Sequence, residues 1–145
     1  MSFAQGHPVI AIPGPSPAPD RVLRAMHRPS PDIYGQAMAD ENRAMIAGLR
    51  RMAGTSAHLA AYIGNGHAAW EAANTNLLNR GDHALVLTSG HFGRGWAASA
   101  RALGVTVEEL DFGISPPDPQ RLAERLAQDR DGAIRAVLVC QIDTA

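Results

Sequence analysis

Ala60-Ala61-Tyr62-Ile63-Gly64-Asn65-Gly66-His67-Ala68-Ala69-Trp70-Glu71-Ala72-Ala73 sets a short apolar run against a glycine turn that opens directly into an alanine-rich helix. The first N–H groups of a helix have no intrahelical partner, and the helix dipole places partial positive charge at that end. Glycines just before it let an anion approach the backbone closely. The stretch therefore reads as a phosphate cradle. An ordinary strand–helix turn without a ligand fits the same residues, and the turn alone leaves both open.

Working outward, the chain alternates. His58 to Ile63 reads as a strand and His67 to Leu78 as a helix with Trp70, Ala73 and Leu77 on one face. Gly81-Asp82 makes a turn before the apolar strand Ala84-Leu85-Val86-Leu87, followed by a helix from Phe92 to Leu103 and a strand from Val105 to Leu110. Asp118 is placed to cap a helix whose first residue is Pro119 and whose apolar side carries Leu122 and Leu126. A last strand runs from Ile134 to Cys140. Strands alternating with helices predict an α/β fold with a mostly parallel sheet flanked by helical crossovers.

Upstream the character changes. Pro8, Pro13, Pro15, Pro17, Pro19, Pro29 and Pro31 make residues 1–34 an extended arm, with a brief helix from Asp20 to Met26. From about Gly35 to Met52 a helical stripe of Met38, Met45, Leu49 and Met52 suits core or subunit packing. The strand at the far end leads within a few residues to Ala145, where a site beyond the strand ends is expected. Residues 35–145 are accordingly expected to be the first part of a larger domain.

Composition narrows the functions. A net charge of -1 gives no surface for nucleic acid or an anionic membrane, and no apolar run is long enough to span a bilayer. The single cysteine, Cys140, excludes an internal disulfide framework, and a cytoplasmic protein is expected. Cys140 itself is expected to be a buried strand residue. None of the six histidines pairs at helical spacing for a metal. Gly64-Asn65-Gly66-His67-Ala68-Ala69 fits the dinucleotide fingerprint, but the next strand ends in Thr88-Ser89-Gly90 where an acidic residue should hold a ribose hydroxyl. All 13 basic residues are arginine; the chain has no lysine.

Four segments, in this order and spacing, resemble the class V aminotransferases of the alanine–glyoxylate and serine–glyoxylate type: Ile12-Pro13-Gly14-Pro15-Ser16, Gly64-Asn65-Gly66-His67 with Trp70-Glu71-Ala72-Ala73, Ser89-Gly90-His91-Phe92-Gly93, and Asp143-Thr144. The resemblance implies the leading part of a fold type I enzyme that binds pyridoxal 5′-phosphate and works as a homodimer on a small amino acid and a 2-oxo acid. It implies that Asn65, Gly66 and His67 hold the cofactor phosphate, and that Phe92, where the family more often has tryptophan, stacks on the pyridine ring. Thr144 matches a hydroxyl residue that reaches that ring, Asp143 matches its acidic neighbour, and Gly14 matches backbone along the substrate carboxylate. Capping roles for Asn65 and His67, and a core role for Phe92, fit the same residues. Transamination needs a lysine for the Schiff base and for proton transfer. Its absence leaves no catalytic residue here, so a truncated or partner-binding, non-catalytic fragment stands as the alternative, with a dinucleotide module behind it.

Overall fold

The structure, a computed structural model, describes residue 14 and residues 16–144. Pro8, Ile12, Pro13 and Pro15 of the expected arm, and Ala145, lie outside the described residues. Contacts group the chain into two units, Met1–Ala60 and Ala61–Ala145.

The first unit holds helix α1 (Asp20–Met26) and helix α2 (Gln36–Ala53). The methionine stripe puts Met38 and Leu49 half inside, but no residue of α2 is buried. Gly54 ends α2 at φ 61°, a backbone conformation that any side chain would strain.

The second unit runs α3 (Gly66–Leu77), β1 (His83–Thr88), α4 (His91–Ala102), β2 (Thr106–Asp111), α5 (Pro119–Gln128), β3 (Ile134–Val139). The strands form one parallel sheet in the order β2-β1-β3. The central strand is the continuous apolar run, as a strand covered on both faces must be. Ala84 and Val86 enter one core with Leu78, Ala97, Ala100, Val105 and Leu138. Leu85 and Leu87 point the other way, against Phe112 and the half-buried Leu110, Leu122 and Ile134. Fully burying Leu85 and Val86 stabilises the unit by about 1.5–3 kcal/mol each.

Three expectations need correction. Residues 58–63 form no strand, because they have no ladder partner and Leu59 alone among them is even half-buried. Leu77 is not covered with Trp70 and Ala73 but is 72% exposed, since the covered part of α3 is its middle, residues 70–74. Cys140 lies one residue past β3 and is half-buried, and that burial, with Asp143 nearby, pushes its thiol up.

Asp118 caps α5 as its position before Pro119 requires, accepting from the Gln120 N–H at 2.8 Å. Arg125 then fixes α5 to β2 by donating two hydrogen bonds of 2.6 Å to the Glu108 carboxylate. Those bonds hold the Glu108 carboxyl below the ordinary glutamate range despite partial burial. The Ile134 and Ala133 N–H groups do the same for Asp129. A depressed native pKa gives stability that is complete above the unfolded carboxyl range, about 4, and is lost as pH falls through the native values. Urea midpoints measured from about pH 7 down to about pH 3 are expected to fall, and Glu108→Gln should flatten that fall. An unchanged pH profile in the variant would remove Glu108 from the acid-sensitive contacts.

Candidate functional site

Asn65 sits outside α3 in an extended conformation, and its side-chain oxygen accepts from the Ala68 N–H at 3.1 Å. The Asn65 carbonyl takes the Ala69 N–H. The N–H groups of Gly66 and His67 are left without a partner among the described residues. A Cβ built on Gly66 would meet nothing within 4 Å, and its φ lies outside the left-handed region. Gly66 is therefore not a conformational requirement of the turn; it keeps open space beside two free donors. The conformationally tight glycine is Gly64, whose Cβ would fall 2.8 Å from that of Ala68. Tyr62 closes over the same turn, its hydroxyl donating to the Ala68 carbonyl.

The start of α4 lies beside this one. Gly90 leaves β1 and places Phe92 in the first turn of α4, where its half-buried ring meets His67 at 6.4 Å and Trp70 at 6.3 Å between centroids. Phe92 is thus neither a core residue nor a free one. It forms part of a wall of edge-to-face rings with His67, which stands 4.5 Å from Trp70.

The α4 N-terminus is itself occupied. The Asp143 carboxylate accepts from the N–H groups of Phe92 at 2.7 Å, Gly93 at 2.9 Å and Thr144 at 2.8 Å. The His91 N–H donates to the Thr144 carbonyl at 2.6 Å. Burial pushes the Asp143 carboxyl up, but the Gly93, Phe92 and Thr144 N–H groups, joined by Arg94, outweigh it and hold the carboxyl below the ordinary aspartate range. Asp143 acts as a remote helix cap and, with the His91 N–H, seats Thr144 against Gly90 and His91 at the start of α4. The cap joins residues about fifty positions apart, so the sequence carries little of it. Its one trace there is the pair Gly90 and Gly93, whose added Cβ atoms would run into Asp143. A cleft of about 240 Å³ opens beyond the strand ends, with Ser89, Ser115, Gln141 and Asp143 in its wall.

Asn65, Gly66, His67, Phe92, Asp143 and Thr144 thus converge at the carboxyl ends of the strands. Gly14 belongs to the other unit, is exposed and has nothing within 4 Å of a built Cβ. No group of three or more histidine, cysteine or acidic side chains could hold a metal among the described residues. No described helix is long and apolar enough to cross a membrane. The dinucleotide reading weakens further, because the segment before Gly64 is not the strand its fingerprint requires.

No family model matches the chain. Serine–glyoxylate aminotransferase of Methylorubrum extorquens is 32% identical over 137 residues, which cover 92% of this chain and 34% of that protein. Pyridoxamine–pyruvate aminotransferase of Mesorhizobium loti superposes with a TM-score of 0.79 at 26% identity, covering 90% of this chain and 33% of the other. Alanine–glyoxylate aminotransferase of Nostoc sp. gives a TM-score of 0.71 at 28% identity, covering 81% and 32%. The chain spans about one third of the length of the curated relatives it matches. Sequence and fold together place it, as a portion of that length, among the relatives of the class V pyridoxal-phosphate-dependent aminotransferases of the alanine–glyoxylate and serine–glyoxylate type.

Proposed function

We propose that this chain carries the cofactor-phosphate and ring-contact portion of an aminotransferase. The complete enzyme would move an amino group from a small amino acid of the alanine or serine type to glyoxylate or another 2-oxo acid. The observation that carries the reading is the juxtaposition of two free N–H groups at the start of α3 with the Phe92 ring and Thr144 at the start of α4. The residues fit pyridoxal phosphate: the open side of Gly66 admits an anion to the backbone, and an aromatic ring stands next to it.

When bound, the cofactor supplies an electron sink for charge at the substrate α-carbon. The Gly66 and His67 N–H groups would hold the phosphate, with Asn65 fixing the helix start. Phe92 would pack against the pyridine ring, and Asp143, by capping α4, would keep the Thr144 hydroxyl in reach of that ring. Gly14 would lie along the substrate carboxylate in an assembled dimer, with residues 1–34 as an arm and 35–145 as the first part of the large domain. The place of action would be the cytoplasm. The chain has no lysine, the residue that would form the covalent bond to the cofactor and shuttle the α-proton. In the complete enzyme a lysine from outside these residues would supply both; a chain without it would act as a binding fragment.

Titration separates these readings. Saturable binding of pyridoxal phosphate, relieved by inorganic phosphate, is expected, with no binding of nicotinamide dinucleotide. Borohydride reduction and intact-mass measurement should add nothing to an internal side chain. Nucleotide binding without pyridoxal phosphate binding, or a stable adduct away from the N-terminal amine, would overturn the assignment.

A further inference from the structure

Behind the ring wall lies a polar contact that the phosphate cradle does not need. Trp96 stacks on Trp70 with centroids 5.5 Å apart and planes within 10°. Its indole N–H donates to the Asn74 side-chain oxygen at 3.1 Å. Asn74 is only 2% exposed, and its amide nitrogen is buried with no partner among the described residues. A buried amide left half satisfied destabilises a fold, so an apolar residue would suit this α3 position better on packing grounds alone. What Asn74 does provide is a fixed acceptor for one indole. That indole orients Trp70, and Trp70 in turn touches both His67 and Phe92.

We propose that Asn74 and Trp96 are positioning residues, which through Trp70 set the faces of His67 and Phe92 toward the pyridine ring of a bound cofactor. This rests on the reading of the α3–α4 groove as a phosphate-and-ring site. It makes the two ligand parts separable: phosphate is held by backbone N–H groups, the ring by side chains the buttress aligns.

The test uses the whole chain, wild type and Asn74→Leu/Trp96→Phe, titrated with pyridoxal phosphate and separately with inorganic phosphate. Removing donor and acceptor together leaves no new orphan group, so the double variant should fold, with stability altered only by the loss of the unpaired amide and by the smaller ring. Asn74→Leu alone, which keeps both rings of the stack and frees only the N–H of the half-buried Trp96, is the fallback if the double variant does not fold. Either variant is expected to bind pyridoxal phosphate about fivefold more weakly, the size of one aromatic contact, and inorganic phosphate as wild type does. A merely structural role would move both ligands together or neither, and either result overturns the proposal. Wild type that binds neither ligand overturns the underlying site reading, a failure distinct from wild type binding both while the variants lose no ring affinity.

Discussion

Gly66→Val is expected to fold as wild type does and to lose more than about tenfold in affinity for pyridoxal phosphate. The two halves of that result have separate causes. The built Cβ of residue 66 meets no atom within 4 Å and the backbone is not left-handed, so a side chain there strains nothing in the free protein. Stability should change by no more than about 0.5 kcal/mol, the ordinary range for exposed sites. The same empty space is where an anion must come to reach the Gly66 and His67 N–H groups, and an isopropyl group would fill it. His67→Ala is expected to behave in the opposite sense. It keeps the N–H, so affinity should drop about twofold to threefold. It removes a ring packed on Trp70, so stability should fall by about 1 kcal/mol. Urea melts and ligand titration on the two variants read both effects. Gly66→Val binding as wild type does would end the phosphate-cradle reading.

The sequence was legible where one local signal has one structural solution. Ala84-Leu85-Val86-Leu87 alternates nothing and is bounded by turn residues, so it could only be a strand covered on both faces, and it is the central one. Asp118-Pro119 is a helix start on chemistry alone. His58 to Ile63 carries a comparable apolar signal but no strand, because a strand exists only through a partner's ladder and composition cannot supply one. The true bounds of the helix after it, Gly66 to Leu77, were nevertheless within one residue of the reading, since Asn65 announces its own cap.

The candidate site was legible as separate segments rather than as a geometry. That His67 and Phe92 face one another depends on α3, which returns through a short turn into β1, starting at the end of the sheet where α4 leaves β1. The Asp143 cap links residues about fifty positions apart and leaves no periodic trace. Asn74 and Trp96 were invisible for another reason. On a helix drawn from sequence, an asparagine reads as solvent-facing, and only packing shows it buried against an indole.

Gly90→Val is the substitution expected to damage the second unit most. Gly90 is buried at the junction of β1 and α4, and its built Cβ would collide with the Thr144 carbonyl and stand 2.8 Å from the Asp143 carboxylate. None of those atoms is the far end of a flexible chain: Asp143 is held by three N–H groups and Thr144 by the His91 N–H. The side chain must therefore expel the Asp143–Thr144 segment, which leaves the Phe92 and Gly93 N–H groups uncapped next to the core. Overpacking and loss of charge-assisted hydrogen bonds together should cost about 3 kcal/mol, a large share of a small domain's stability. Acid sensitivity should fall in parallel, because a released Asp143 regains an ordinary pKa and no longer links folding to its own protonation. Asp143→Ala provides the cycle that locates the effect. If Gly90 exists to admit this segment, Gly90→Val should cost clearly less in the Asp143→Ala background than in wild type, by more than about 1 kcal/mol of coupling. Strict additivity in urea midpoints would place the cost of the valine elsewhere than in the Asp143–Thr144 segment.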